Sequence, residues 1–250
     1  MNALTPSSFA IKNIALCARW TSAAAAFALM AGCATGPGDS RANRVDPFES
    51  VNRSVFRFND AIDTAVLRPV ATGYRDVVPS MVRTGVANFF GNVSDVWSLA
   101  NNVVQLKAQN SAETFMRLNV NTFFGLGGLL DVASDVGIER HREDFGQTLG
   151  RYGVPAGPYL VLPLLGPSTV RDTAALPVDR YGDGLSAIQD IAWRNAFYAL
   201  RVVDARANLL RVSQMLDDAA LDKYSFTRDA FLQRRLSEVH DGNPPGDDGQ

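Results

Sequence analysis

The stretch that decides the fold class lies at residues 46–62 and reads DPFESVNRSVFRFNDAI. Its apolar residues recur at spacings of three and four, at Phe48, Val51, Val55, Phe58 and Ile62. This spacing places them on one face of an α-helix. Asp46 can cap the helix, Pro47 fits its first turn, and Glu49 follows three residues after the cap. We expect the helix to end before Pro69, because the residue before a proline disfavours helical geometry.

Helical patterns continue along most of the chain. They cover, in order, Pro79–Leu106, Ala112–Phe124, Ser168–Leu176, Leu185–Leu216 and Thr227–Glu238. Asn110 or Ser111 can cap the second of these helices, and Ser168 can cap the third, which should end before Pro177. The fourth fits either one helix or two helices broken near Arg194. Because alternating runs are few and no hairpin signal is found, the sequence predicts an all-α fold.

A segment rich in glycine and proline interrupts these helices. Gly125–Leu130, which reads GLGGLL, breaks the helical pattern, and residues 135–165 are predicted to be irregular. Within them, Tyr159–Leu165 (YLVLPLL) is strongly apolar. A loop this apolar is unfavourable in water, so we expect it to be buried or to contact lipid.

The N-terminus has the layout of a bacterial lipoprotein signal peptide. Residues 1–32 carry two charges, Lys12 and Arg19, and then an apolar run, Ala23–Ala31, that is too short to span a bilayer. Two small residues, Ala31 and Gly32, immediately precede Cys33, as in a lipobox. We therefore expect cleavage before Cys33 and lipidation of its thiol. The alternative is a secreted protein with a free N-terminal cysteine.

Cleavage would change the composition of the protein. The formal net charge of −2 becomes −4 (−2 − 2) once the two basic residues of the signal are lost, which argues against a nucleic-acid partner. Cys17 leaves with the signal and Cys33 is lipidated, so no thiol remains for a disulfide, for catalysis or for a metal. Residues 33–45 would form a flexible tether behind the lipid, and residues 241–250 are predicted to be a disordered tail.

The usual motifs of catalysis are not found in the sequence. His141 and His240 are far apart, and His141 lies in a charge run, ERHRED at 139–144, that we expect to be a solvated loop. Ser168 lacks the glycine that a nucleophile elbow needs two residues later, and GLGG at 125–128 lacks the strand and the third glycine of a dinucleotide loop. The sequence therefore predicts no enzyme activity, no cofactor and no metal site. Pairing in space stays open for its acids, Asp131, Asp135, Asp144 and Asp172.

Several motifs together resemble those of one known family. They are Asp46-Pro47-Phe48-Glu49, Asn52-Arg53, Asn88–Asn92 (NFFGN), Arg117–Thr122 (RLNVNT), Gly125–Ala133 (GLGGLLDVA), Glu143–Gly150 (EDFGQTLG) and Gly166–Asp172 (GPSTVRD). From about Asp46 to about Asp179 the chain resembles the MlaA (VacJ) family of phospholipid-transport lipoproteins. The later helices fit that family less closely.

The resemblance implies both an architecture and a function. It implies a single ring-like helical domain over residues 46–240, lying at the inner face of the outer membrane, with an amphipathic channel for phospholipid. It also implies retrograde transport, in which lipid passes from the outer leaflet to a soluble periplasmic carrier (MlaC-like), and association with a trimeric porin. The alternatives are a structural envelope lipoprotein that scaffolds porins without moving lipid, and a periplasmic hydrolase, for which no motif was found.

A lipid channel needs polar contacts for head groups and apolar contacts for tails, because an unpaired polar group in an apolar layer costs several kcal/mol. With the resemblance as guide, the head-group candidates are Asn119, Asn121, Arg171 and Asp172. The tail or gate candidates are Phe123, Tyr159, Leu160, Leu164 and Leu165. Gly127 and Gly153 are the small positions at which a tryptophan should block passage. Each has a structural alternative: a cap for asparagine, the core for the aromatic residues, and a helix-start pair for Arg171 and Asp172.

Overall fold

The computed structural model describes residues 45–244 of the protein. The predicted signal peptide, Cys33 and most of the tether lie outside the described residues, as does the end of the predicted tail, residues 245–250. Asp241 and Gly242 form a turn.

Helices make up most of the described chain, which confirms the predicted all-α class. They are α1 (Glu49–Ile62), α2 (Arg68–Val77), α3 (Ser80–Val104), α4 (Ala108–Phe123), α5 (Val132–Asp135), α6 (Phe145–Arg151), α7 (Val170–Gly182), α8 (Ile191–Ala219) and α9 (Lys223–Val239). A π-helical turn (Asp63–Leu67) joins α1 to α2, and a 3₁₀ turn (Gly184–Ala187) precedes α8. Two short strands, β1 (Tyr159–Leu162) and β2 (Gly166–Thr169), lie between α6 and α7.

The predicted ends of the first helix are wrong on both sides. Phe48, not Asp46, is the N-cap of α1, and no side chain caps the helix. The helix also does not stop before Pro69, because the π-helical turn widens the backbone and leads directly into α2. At its end the Arg68 amide donates to the carbonyl of Asp63, five residues back. Pro69 lies immediately after this π-helical turn, at the second residue of α2, and the turn lets the chain stay helical through the proline.

Other helix boundaries also differ from the prediction, among them the start of α9, which is at Lys223 and not at Thr227. The helix α4 begins at Ala108, so Asn110 and Ser111 lie inside it, and the Ser111 hydroxyl donates to the Lys107 carbonyl at 2.6 Å instead of capping. Thr169, not Ser168, caps α7 by accepting from the Asp172 amide at 3.2 Å. Pro177 lies inside α7 and does not end it. The long pattern from Leu185 contains a 3₁₀ turn and then a single helix, α8.

A β-hairpin that the sequence did not indicate forms part of the Gly/Pro-rich segment. Strands β1 and β2 pair antiparallel, with Tyr159 opposite Thr169 and Leu162 opposite Gly166. Two asparagines of α1 hold β1. Asn52 donates to the Tyr159 carbonyl at 3.0 Å and accepts from the Val161 amide at 2.9 Å. About two turns further on, Asn59 bonds to the backbone of Leu162 and Leu164 in the same way, at 2.9 and 2.8 Å.

Apolar packing is divided between two small clusters. One joins α2 to α8 through Ala71, Ala207 and Leu210. The other joins α1, β1 and α9 through Tyr159, Val161 and Tyr224, with aromatic and aliphatic side chains around them. Between these clusters α3 packs along α4, and α6 packs against α7 and α9. These contacts bring α3, α7, α8 and α9 around one common space.

Candidate functional site

The described chain buries polar side chains and exposes apolar ones. The largest side chains that are fully buried are Arg117, Tyr159, Asn52, Asn102, Asn121, Thr114, Thr169 and Asp95, of which only tyrosine is largely apolar. In a water-soluble helical domain the pattern is the reverse. Large apolar side chains are instead widely exposed, for example Met81 (84%), Phe123 (76%) and Leu164 (70%).

Helix α3 shows this inversion along its length. Apart from Phe90, its buried residues are polar and recur at spacings of three and four: Asn92, Asp95, Ser98, Asn101 and Asn102. Val96, Val103 and Val104 point outward. Hence the apolar face of α3 is free to contact an apolar environment, and its polar face meets the interior of the domain. Among the described residues, no helix combines the length and the hydropathy that crossing a bilayer would require.

Arg117 on α4 is the centre of a buried charge network. Its side chain, 1% exposed, donates to Asp131 at 2.6 Å, to Ser134 at 3.2 Å and to the carbonyl of Ile138. Burial alone would raise the pKa of Asp131, but hydrogen bonds from Ser134 and Asn121, together with the guanidiniums, hold it below its usual value. The network fastens the loop after α4 to the helix.

Asp95 lies beside the same network and behaves differently. It lies 3.3 Å from the Arg140 guanidinium and 4.0 Å from that of Arg117. Burial nevertheless raises the pKa of Asp95 and outweighs the effect of these two cations. The carboxyl therefore holds its proton more tightly than an exposed aspartate does.

The charge run at 139–144, expected to be a solvated loop, instead turns several of its side chains inward. Arg140 reaches Asp95, and His141 lies 2.6 Å from Glu113 of α4. Glu143 is buried and lies 2.8 Å from Lys107. Arg142, which lies between His141 and Glu143, remains exposed. This extended segment therefore forms a charged wall between α3 and α6.

A cavity of about 620 Å³ opens on this wall. It is lined by residues of α3, of the 142–144 segment, and of α6, α7, α8 and α9. Apolar and small residues, among them Ala87, Phe90 and Ala205, alternate with charged ones. The volume lies within the range of ~300–1,000 Å³ that is typical of ligand pockets.

Arg235 of α9 closes one side of the cavity. It donates to both oxygens of Asp144 at 2.7 Å and to those of Asp172 at 2.9 and 3.0 Å. Although burial opposes the charge, these two acids raise the pKa of Arg235 far above its ordinary value. The same pairing lowers the pKa of Asp172. The acids Asp144 and Asp172, whose pairing the sequence left open, are thus joined through one guanidinium.

Two further acids line the region without such a partner. Asp179 of α7 accepts from the Trp97 indole and the Phe145 amide, both at 2.8 Å. Asp204 of α8, 4% exposed, accepts from the Tyr74 hydroxyl at 3.1 Å. Burial is the main cause that raises the pKa of both carboxyls.

The candidates proposed from the sequence do not line this cavity. Asn121, Tyr159, Arg171 and Asp172 are buried and hydrogen-bonded inside the fold. Phe123, Leu164 and Leu165 are at least 70% exposed, and Asn119 and Leu160 are half-buried. Gly127 and Gly153 both have positive φ, with nothing within 4 Å of a side chain added there. Gly153 and Arg171 line a second, smaller cavity of about 290 Å³ beside α9.

The lining residues that sequence reasoning missed are mostly charged, and one of them carried a signal. Asp204 follows Val202 and Val203 and precedes Ala205, so this acid has apolar neighbours along the chain, although Arg201 and Arg206 flank the stretch. Arg142 and Asp179 carry no comparable signal, because only the meeting of distant elements brings them to the cavity.

Comparison with known proteins gives consistent matches. The family model described as MlaA lipoprotein matches residues 44–238. The chain is 35% identical over 212 residues to the "Intermembrane phospholipid transport system lipoprotein MlaA" of Escherichia coli, covering 82% of each chain. It is 40% identical over 200 residues to an uncharacterized protein of Rickettsia typhi, covering 78% of each. A solved structure described as "Structural basis for maintenance of bacterial outer membrane lipid asymmetry" matches with a TM-score of 0.68 and 35% identity, covering 78% of this chain and all (100%) of that one.

Proposed function

Because this chain belongs to the MlaA lipoprotein family, we propose that it removes phospholipid from the outer leaflet of the outer membrane. It hands that lipid to a soluble periplasmic carrier and so maintains the lipid asymmetry of the membrane. Its relative in Escherichia coli is named as the lipoprotein of an intermembrane phospholipid transport system. The reaction is passage of an intact lipid, with no bond made or broken.

The cavity of about 620 Å³ is the observation that carries this proposal. A phospholipid head group cannot cross an apolar layer uncompensated, because each unpaired polar group costs several kcal/mol there. A cavity with charged and small apolar residues in its wall offers hydrogen bonds to the head group and space for the chain ends. Those contacts offset part of the cost of removing the head group from water during passage.

Placement at a membrane is supported by the exposed apolar side chains. Phe123 and Leu126 on one turn, and Leu164 and Leu165 on the β-hairpin, are each at least 70% exposed. Such side chains lose contact with water when they enter the acyl layer, which contributes about 25 cal/mol per Å² of buried apolar surface. We propose that the domain lies in the inner leaflet as a ring, anchored by lipid on Cys33 after removal of residues 1–32.

Direction and partners belong to the proposal as well. A passive channel only equilibrates lipid between two sites, so net retrograde flow needs a coupled acceptor. We propose that an MlaC-like carrier supplies this coupling and that a trimeric porin holds the protein in place. A scaffold that binds porins without moving lipid would not need a cavity with a polar and apolar lining, which is why lipid transport is preferred.

The test is the phospholipid content of the outer leaflet in a deletion strain. The strain is complemented with the wild-type chain or with Cys33→Ala, and surface phospholipid is labelled on intact cells. We expect deletion to raise surface phospholipid, the wild type to restore it, and Cys33→Ala to fail although the protein is made. Unchanged surface phospholipid in the deletion strain would contradict transport and favour the scaffold.

A further inference from the structure

Most charges that line the cavity are already neutralised by a neighbour. The pairs and their shortest distances are Arg201 with Asp183 (2.6 Å), Arg235 with Asp144 (2.7 Å), Lys107 with Glu143 (2.8 Å) and Arg234 with Glu238 (3.1 Å). These side chains fix the wall of the cavity, and they have little charge left to offer a ligand.

Three lining residues are exceptions. Arg142 makes neither an ion pair nor a hydrogen bond within residues 45–244 and is exposed. Asp179 and Asp204 receive hydrogen bonds only from neutral groups, and neither forms an ion pair with a described cation. Arg235 and Arg83 act on these two carboxyls only from beyond ion-pair distance. The cavity therefore presents one free cation and two acids that have no counter-ion.

Burial makes it costly to ionise the carboxyls of Asp179 and Asp204. Burial raises the pKa of Asp179 and of Asp204, since water is withdrawn and no cation replaces it. A ligand cation beside these two carboxyls would lower the free energy of their ionised form. A buried acid without a counter-ion in a cavity wall is the arrangement expected where a ligand supplies that ion.

We propose, on the basis of the proposed transport function, that this cavity recognises a zwitterionic phospholipid head group with a primary ammonium. The phosphate binds Arg142, and the ammonium binds Asp204 and Asp179. Both halves of the head group are then matched by opposite charge, and the N–H groups of the ammonium donate to carboxylate oxygens.

Other head groups match this set of charges less well. An anionic head group with a neutral alcohol would use Arg142 for its phosphate, but it has no cation and would leave both carboxylates without a counter-ion. A quaternary ammonium has the charge but no N–H to donate. The inferred selectivity is therefore for phosphatidylethanolamine-type lipid over phosphatidylglycerol-type lipid.

The experiment uses the full, lipidated protein in nanodiscs that hold equal amounts of phosphatidylethanolamine and phosphatidylglycerol. The protein is extracted in mild detergent, and the lipid that remains bound is counted by native mass spectrometry. We expect phosphatidylethanolamine to be enriched about 5-fold over its share in the bilayer, the effect of one ion pair of modest strength. In the same wild-type protein, N-acetyl-phosphatidylethanolamine, which has lost the cation, should show no enrichment.

Variants then assign the two halves of the head group. Asp204→Asn and Asp179→Asn should bring the lipid ratio towards one, whereas Arg142→Gln should lower the amount of both lipids and leave their ratio unchanged. Asp229→Asn and Arg75→Gln, exposed positions outside this cavity, are the matched controls. Thermal unfolding confirms that each variant is folded.

Several results would overturn the proposed head-group selectivity. A wild-type ratio of one, equal retention of the N-acetyl lipid, or no retained lipid overturns it without any variant. A ratio that both aspartate variants leave unchanged overturns the roles of Asp179 and Asp204. None of these results alters the outer-leaflet phospholipid of the deletion strain, which tests transport separately.

Discussion

The indole N–H of Trp97 on α3 donates to the carboxylate of Asp179 on α7 at 2.8 Å, across 82 residues of sequence. This bond joins two walls of the cavity. Within residues 45–244 the same carboxylate also accepts from the Phe145 amide at 2.8 Å. Because this bond lies beside the cavity, its loss should lower the stability of the protein and change the shape of the cavity.

Trp97→Phe should destabilise the protein by about 2 kcal/mol, because a buried carboxylate loses a donor. The measurement is the free energy of unfolding in urea. Trp193→Phe is the matched control, since Trp193 is 66% exposed and its indole makes no hydrogen bond with the described residues. Equal losses in the two variants would contradict the importance of the bond to Asp179.

Stability should also depend on the ionisation of Asp204. Burial raises the pKa of this carboxyl, so the folded state binds the proton more tightly than the unfolded chain does. Ionisation therefore costs stability, and the loss develops as the pH rises from the ordinary pKa of about 3.9 through the raised value. The wild type should lose stability relative to Asp204→Asn over this interval. The free energy of unfolding in urea is measured for both proteins at a series of pH values. If the two curves run parallel over this interval, the prediction is wrong.

Arg117→Met should cost about 3–5 kcal/mol, because it removes the cation that lies 2.6 Å from Asp131 and one of the two cations beside the buried Asp95. The comparison is Arg75→Met, where an exposed ion pair with the adjacent Asp76 is removed at a cost below about 1 kcal/mol. Thermal and urea unfolding of both variants give the two values. A small loss at Arg117 would show that the loop after α4 does not depend on this network.

Two glycines should respond in opposite directions to alanine. At Gly125 a Cβ would meet the backbone carbonyls of Leu130 and Asn121, so Gly125→Ala should cost roughly 2–4 kcal/mol. Gly73 lies in α2 with nothing within 4 Å of an added Cβ, so Gly73→Ala should stabilise by about 1 kcal/mol. Midpoints of thermal unfolding decide between them. Tolerance of alanine at Gly125 would contradict the tight turn.

Filling the cavity should impair transport more than adding bulk elsewhere. Ala205→Trp places an indole in the cavity wall, so surface phospholipid should rise towards the level of the deletion strain while the lipidated protein persists. Gly127→Trp and Gly153→Trp, which the sequence predicts to block passage, add their indoles at positions that do not line this cavity. Ala112→Trp, at an exposed position of α4, is the control. Normal surface lipid with Ala205→Trp would remove this cavity from the path.

Local patterns in the sequence were enough to predict most helices. Apolar spacing of three and four residues indicated α1 and α3, and Gly125–Leu130 was correctly identified as a break, because helical hydrogen bonds and turns involve near neighbours. The predicted boundaries were wrong where contacts with distant residues, or a local distortion of the backbone, overrode the preference of the local sequence. Pro69 is tolerated because a π-helical turn precedes it, and the hairpin of β1 and β2 is held by Asn52 and Asn59 of α1.

The cavity and its charges were decided by the tertiary structure alone. Arg235 meets Asp144 across 91 residues, and Trp97 meets Asp179 across 82. No pattern of near neighbours reports which distant elements pack together, nor which acid is left without a cation. The sequence by itself determined most of the helices, the break at Gly125–Leu130 and the motifs shared with the family. Long-range packing determined which polar residues face one another, because ion pairing and burial depend on positions in space and not on spacing along the chain.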